Sequence, residues 1–502
     1  MTLSKAVLVL LVLVPAIAGA QITGPSSSQS PYVLPIADGW QTISLISTGD
    51  GAKENGYVMA GIPDGLGAIA GKFEEGNYVA DKAYMTVFMN HEIPSAEGVV
   101  RAHGGTGGFV SQWTIHLNTL QVKWGQDLIQ SLLSWNGTAY EPASGAALSL
   151  NRLCSADLAK AGAFFNTTSG KGFAGRFFMD GEEFANGRTF AHVITGSEKG
   201  TSYELADLGR MAFENSVAHP NSGDKTLVAQ MDDTTPGQVY LYVGDKKETG
   251  NPVERAGLTG GKLFVVKVTN GGANYANGPV ARENNGAING AFSLVDVSGS
   301  RASAAVLDAA SVAGGTSFAR PEDGSWDTQN TRVFYFVITG ASIDGKAQNA
   351  RLYRLTFDSI VNPTGGTIDL ITERTPNAAA TPPEPGFAQF DNITVAGDGS
   401  VMVQEDPGNN AYIAKTYRVD PTTKERTAVL QSDPARFTGT NQFAFNQDEE
   451  SSGIIEVTDI VKSANWYEAG RRYFLADLQD HHLIPGELVE GGQLYLVASP
   501  KQ

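Results

Sequence analysis

Residues 189–205 read TFAHVITGSEKGTSYEL and residues 332–355 read RVFYFVITGASIDGKAQNARLYRL. In each, an apolar β-branched and aromatic run ends on VITG, crosses a polar segment, and resumes as a Tyr-x-Leu or Tyr-Arg-Leu strand. The unit recurs more loosely as Val239–Gly244 followed by Lys262–Val268, and as Val401–Gln404 followed by Thr416–Val419. Strand, long polar loop and second strand, repeated along a chain, suit antiparallel blades arranged radially. Outward from these units, helical periodicity is scarce. Short runs rich in Val, Ile, Phe, Tyr and Thr recur between Gly, Asn, Asp and Pro clusters, which predicts an all-β fold. Further strands are expected near Ala83–Met89, Phe109–His116, Thr226–Met231, Ile368–Thr372, Thr427–Leu430, Tyr473–Ala476 and Gln493–Ala498. Ser155–Phe164 reads as a short helix capped by Ser155, and Gly24–Ser30 as a flexible lead-in. A pair of β-sandwiches is the competing architecture. No linker separates two halves, so one β-propeller domain over 21–502 is the more economical reading.

Residues 1–20, MTLSKAVLVLLVLVPAIAGA, have the form of a cleaved signal peptide: Lys5, an apolar run from Ala6 to Val14, Pro15, then small residues before Gln21. The protein is therefore expected to be secreted, extracellular or periplasmic, with no membrane span. The 502-residue chain carries a net charge of −17, and loss of Lys5 with the leader makes it −18. Nucleic acid is excluded as a partner class, because phosphate neutralisation needs clustered Lys and Arg. An acidic exported chain instead invites divalent cations. Cys154 is the single cysteine, so no intrachain disulfide forms and stability must come from buried area. It reads as a small buried apolar group. Asn136, Asn166 and Asn392 each begin an Asn-x-Thr sequon.

The acids collect at strand ends or in the loops that follow them. In a propeller, loops at one mouth converge on the axis, so carboxylates distant in sequence can meet there. Asn90, His91 and Glu92 follow the apolar strand ending at Met89. Asp180, Gly181, Glu182 and Glu183 form a second group, in which neighbouring like charges need a cation or an Arg. Glu214 with Asn215, and Asp232 with Asp233, supply oxygen ligands of the kind a hard cation recruits. Arg320 stands beside Glu322 and Asp323, able to clamp a phosphate or to pair with Glu322. Asp391 with Asn392 and Glu405 with Asp406 come next, whereas Asp448, Glu449 and Glu450 read as a solvated turn. Asp477, Asp480, His481 and His482 could hold a transition metal but lack a regular zinc spacing. There is no GxSxG elbow, Walker loop or CxxC pair.

On MNHE at Met89–Glu92, GEE at Gly181–Glu183, GRMAFEN at Gly209–Asn215, QMDD at Gln230–Asp233, QVYLYVG at Gln238–Gly244 and ARPED at Ala319–Asp323, in that order, the sequence resembles the PhoX-type alkaline phosphatases. The resemblance implies a six-bladed β-propeller with long inserted loops around an iron and calcium centre. It also implies that Glu182, Glu214, Asp232 and Glu322 lie at or near metal and that Arg320 faces phosphate. Two positions depart from the family: Gly181 replaces a metal-binding Cys, and Phe213 replaces a His.

The expectation is thus a metal-dependent hydrolase of phosphate esters, Arg320 and Glu322 being catalytic. Asn90, Glu92, Glu182, Glu183, Glu214, Asp232, Asp233 and Asp391 would hold metal, with Ca²⁺ and, by resemblance, Fe³⁺ as cofactors. Its partner would be a small phosphorylated substrate or a surface ligand, and the chain is expected to be a monomer. The alternative, motivated by the missing thiolate, is a calcium-stabilised propeller that binds a surface or ligand and catalyses nothing.

Overall fold

A computed structural model describes residues 21–74, 77–268, 282–283, 286–375, 379, 389–409, 411–438 and 445–501. The leader read at 1–20 lies outside the described residues. Six short strands organise the rest: β1 (Pro63–Ala70), β2 (Leu153–Leu158), β3 (Phe213–Ala218), β4 (Pro321–Trp326), β5 (Phe390–Val395) and β6 (Glu449–Glu456). Each begins a mainly antiparallel stack, with a parallel pair in the outer parts of the β2 and β6 stacks, and each packs against the next, with β6 returning to β1, so that the six close a ring. The stacks begun by β3 and β4 join at their outer edges through Gly290–Asp296 and Gly365–Glu373 into one nine-stranded sheet.

The chain ends are interleaved. Val33–Pro35 pairs with Arg426–Ser432 of the β5 stack, and Gln41–Ser47 pairs with Val489–Ala498 of the β6 stack. N-terminal strands therefore complete sheets built from C-terminal ones, leaving fewer open edges. Apolar side chains fill the spaces between adjacent stacks. Leu45, Met89, Trp113 and Leu475 lie between the β6 and β1 stacks, and Tyr335, Val337, Val401 and Val403 between those of β4 and β5. At about 25 cal/mol per Å², these faces drive assembly.

Most expected strands are present, including Tyr84–His91, Phe109–His116, Val333–Ile338 and Arg351–Phe357. Two expectations fail. Ser155–Phe164 does not form a helix: residues 153–158 form β2 and pair with Phe177–Glu182, a tertiary pairing that overrides local helical preference. Nor is Gly24–Ser30 a loose lead-in, because Gly24 N–H donates to the Ser44 carbonyl at 2.9 Å and Ser28 N–H to Asp50 at 2.9 Å. No helix among the described residues is long and apolar enough to cross a membrane.

Candidate metal centre

Every one of the six inner strands breaks register with its neighbour at the same level. The shifts fall between Pro63 and Leu66, Leu153 and Ala156, Phe213 and Ser216, Pro321 and Gly324, Phe390 and Ile393, and Glu450 and Gly453. A β-bulge inserts an unpaired residue and re-aims side chains. The bulged pairs are Asp64-Gly65, Cys154-Ser155, Glu214-Asn215, Glu322-Asp323, Asp391-Asn392 and Ser451-Ser452, with Glu450 just before the last. Three strands are also entered through a residue of positive φ immediately before them, two places ahead of the bulged pair: Ile62 at 49°, Arg152 at 54° and Arg320 at 61°. Such backbone persists in non-glycine residues only where surroundings impose it.

The first members of these pairs converge. Ligand atoms of Asp64, Glu92 and Cys154 lie within 4.8 Å of one another, as do those of Glu214, Glu322 and Asp391, and those of Asp391, Asp406 and Glu450. Asp391 joins the second set to the third. The Cys154 thiol joins the first to the second, donating to Glu214 Oε2 at 3.1 Å and lying 3.5 Å from Asp64 Oδ2. Gln479 Nε2 ties Asp64 to Glu92 with bonds of 3.0 and 2.9 Å.

The second members form a layer beneath. Ser155 Oγ donates to Asn392 Oδ1, a contact between β2 and β5, which stand opposite each other in the ring and so cross its axis. Asn215 Nδ2 donates to Asp323 Oδ1 at 2.7 Å, and Ile393 N–H donates to Asp323 Oδ2 at 3.0 Å. Gly65 admits no side chain here, since a Cβ would lie 2.2 Å from the Ala156 nitrogen.

Charge in the upper layer is unbalanced. Asp64, Glu92, Glu183, Glu214, Asp233, Glu322, Asp391, Asp406 and Glu450 face only Arg152, Arg320 and His481 as cations among the described residues. Burial, then Asp233, pushes Glu214 up to about 8, and burial, then Glu450, pushes Asp406 up to about 7. Burial and neighbouring carboxylates likewise raise Asp64, Glu183, Glu322, Asp391 and the Cys154 thiol well above their ordinary values. Buried Glu214 Oε1 has no hydrogen-bond partner. A cluster of this kind fits bound cations: ionised together, such groups repel one another, and a cation both pairs them and satisfies the orphaned oxygen.

Two arginines stand at the edge. Arg320 donates from Nε and Nη2 to the two oxygens of Asp233, both at 2.7 Å, and lies 3.2 Å from Glu322. Burial opposes the charge of Asp233, but Arg320 outweighs it and holds that carboxyl below its usual range. Arg152 joins Glu92 at 2.6 Å to Glu183. Its side chain is 45% exposed and that of Arg320 32%, and Nη1 of each makes no bond to the protein among the described residues. His481 bonds Glu490 at 2.7 Å and lies 3.7 Å from Glu450. Burial disfavours its charge, but those two carboxylates outweigh it and raise the imidazole to about 11.

The sequence-selected residues divide. Glu92, Glu214, Glu322 and Asp391 enter the three sets, while Glu183, Asp233 and Arg320 border them through the arginine pairs. Asn90 braces β2 by donating to the Cys154 carbonyl at 2.6 Å, with its buried Oδ1 unpartnered. Asp232 is buried outside the three sets. Glu182 is also apart, held in a fork by Arg188 at 2.7 and 2.8 Å and capped by Asn151 N–H at 3.0 Å. Replacing Glu182 by Ala is expected to cost about 3 kcal/mol of stability, the low end for a broken buried pair, read by denaturant unfolding, because it leaves the largely buried Arg188 with only the Ala147 and Ser149 carbonyls. Bound metal per protein should stay unchanged.

Asp64 and Arg152 join the site without standing out in the sequence, Asp406 stands among the strand-end acids there but not among the expected ligands, and Cys154 is more than apolar filler. Glu450 is no solvated turn: its side chain is 13% exposed and lies in the third set. The thiol absent at position 181 reaches the cluster from β2 instead. At Gly181 a Cβ would lie 2.3 Å from Phe213 Cβ, so the two departures from the family pattern are in contact, the Phe side chain filling the space a Cys there would need. The signal that could have found these residues is the polar pair recurring where each inner strand breaks.

A family model described as alkaline phosphatase PhoX matches residues 192–459. No curated protein sequence matches the chain. Among solved structures, PhoX of Pseudomonas fluorescens in complex with vanadate, a transition state analogue, is 13% identical with a TM-score of 0.61, covering 96% of this chain and 98% of that one. A putative 6-phosphogluconolactonase from Bacteroides uniformis is 11% identical with a TM-score of 0.30, over 81% of this chain and 98% of that one.

Proposed function

Since the chain belongs to the PhoX alkaline phosphatase family, we propose that it is an exported, metal-dependent phosphatase acting on small phosphate esters at the centre of a six-bladed propeller. The observation that carries this reading is the continuous group of carboxylates and one thiol around the ring axis, with two partly exposed arginines at its edge.

Asp64, Glu92 and Cys154 offer a mixed oxygen and sulfur set suited to a transition metal such as Fe³⁺. The all-carboxylate sets, Glu214, Glu322 and Asp391 and then Asp391, Asp406 and Glu450, suit Ca²⁺. Bound cations would supply charge neutralisation of phosphoryl oxygens and a water of lowered pKa. Arg320, oriented by Asp233, presents Nη1 to one phosphoryl oxygen, and Arg152, oriented by Glu92 and Glu183, presents its own to another. Both guanidiniums are held by carboxylates before substrate arrives, so little reorganisation accompanies charge development in the transition state. Ser155, Asn392, Asn215 and Asp323 position the ligands above them and block the axis below.

The non-catalytic alternative rests on a missing thiol, and the Cys154 thiol beside Asp64 and Glu92 weakens that ground. Assay of the purified mature protein with a generic phosphomonoester and phosphodiester, with Ca²⁺, Fe or both, tests the proposal, alongside elemental analysis. Turnover with stoichiometric metal is expected. A metal-loaded protein inert towards both esters would refute it.

A further inference from the structure

Beneath the Ser155–Asn392 contact the ring opens again into a cavity of about 1110 Å³, lined by all six inner strands on the side away from the carboxylate sets. Its base is apolar: Leu66 of β1, Val217 of β3, Trp326 of β4 and Ile455 of β6. Its wall is charged. Most cations there are committed, Lys462 to Asp459 at 2.5 Å, Arg472 to Glu456 at 2.9 Å, and Arg471 to Glu468 at 2.8 Å. Two are not. Arg176 bonds only main-chain carbonyls, those of Ala159 at 2.9 Å and Leu158 at 3.5 Å, and has no carboxylate within ion-pair distance among the described residues. Lys160, exposed on the same wall, likewise has none. Asp157 lies on the same wall and interacts with both; burial pushes it up to about 6, so it stays mostly ionised at neutral pH and offsets only one of the two cations, which leaves positive charge to spare here in a protein of net charge −17.

We propose that this cavity is a second binding site, separate from the metal centre, for a small organic anion: an apolar body over Val217 and Trp326, and an acid group held by Arg176 and Lys160. An uncommitted guanidinium, half withdrawn from water and beside an apolar floor, is the combination that distinguishes a ligand site from a solvated rim. The polar contact across the axis keeps a ligand here from reaching the carboxylates, so binding does not require the phosphatase reading to hold.

Anilinonaphthalene sulfonate, titrated into the full metal-loaded protein by calorimetry, is the probe. Saturable one-to-one binding is expected, weakened about tenfold or more in Lys160→Glu, which reverses an exposed charge, and in Thr394→Trp, which fills the cavity. Inorganic phosphate, as a probe of the opposite mouth, should not displace it. Absence of saturable binding, affinity unchanged from the parent protein in either variant, or displacement by phosphate would each overturn the proposal.

Discussion

Removal of metal by a chelator is expected to abolish phosphoester turnover and to lower the thermal midpoint, with both restored by adding metal back. The size of the second effect should depend on pH. In the metal-free chain Glu214 titrates near 8 against an ordinary 4.5, and Asp406 near 7 against 3.8. Folded values above unfolded ones mean that the native state holds these protons more tightly, so their contribution is complete below about pH 4 and is lost as pH rises through 7 and 8. Metal-free protein should therefore be more stable at pH 5 than at pH 9, each tenfold difference in proton affinity between the folded and unfolded chain being worth about 1.4 kcal/mol. Metal-loaded protein should lack this loss, because the cation pairs with the ionised forms. Melting curves from pH 5 to 9 with and without chelator decide it: a chelator-insensitive melt at pH 9 would show that the carboxylates need no cation.

Arg320→Ala should lower turnover by about 100- to 1000-fold, the scale seen when one preorganised donor to a transition-state charge is removed. It should also cost about 3 kcal/mol of stability, near the low end for a broken buried pair because the arginine is 32% exposed, since Asp233 loses both its bonds. Arg320→Lys separates the two effects. A lysine keeps charge beside Asp233 and should recover part of the stability, but a point charge cannot bond both Asp233 oxygens while pointing a second donor at substrate. Turnover should accordingly stay low. Steady-state kinetics with metal content measured on the same samples tests this, and a Lys variant of full activity would remove Arg320 from phosphate binding.

Much of the fold is legible in the sequence. The repeated VITG units, the apolar runs of the outer strands and the absence of a linker together indicate stacked antiparallel sheets, because half-buried strands must alternate and outer strands have ordinary cores to fill. What escapes is the innermost strand of every stack. PDGLGAIA, LCSADL, FENSVA, PEDGSW, FDNITV and EESSGIIE are polar, glycine-bearing or interrupted, so they look like loops. They are the strands that carry the site, and their sequences answer to the bulge and the ligands rather than to pleat alternation. Glu92, Glu183, Asp233 and Asp406 do lie just past strand ends, as expected, but Asp64, Glu214, Glu322, Asp391 and Glu450 lie within the inner strands themselves.

By itself, the sequence determined an acidic, single-cysteine, all-β chain, its family resemblance, and four of the residues that meet in the ligand sets, Glu92, Glu214, Glu322 and Asp391. Tertiary structure alone decided that Cys154 joins them, that Asp64, Asp406 and Glu450 complete the sets, and that Glu182 belongs to Arg188. Residue type is local information, but ligation is a matter of atoms a few ångströms apart on strands tens to hundreds of residues distant. Only closure of the ring brings six register breaks to one level.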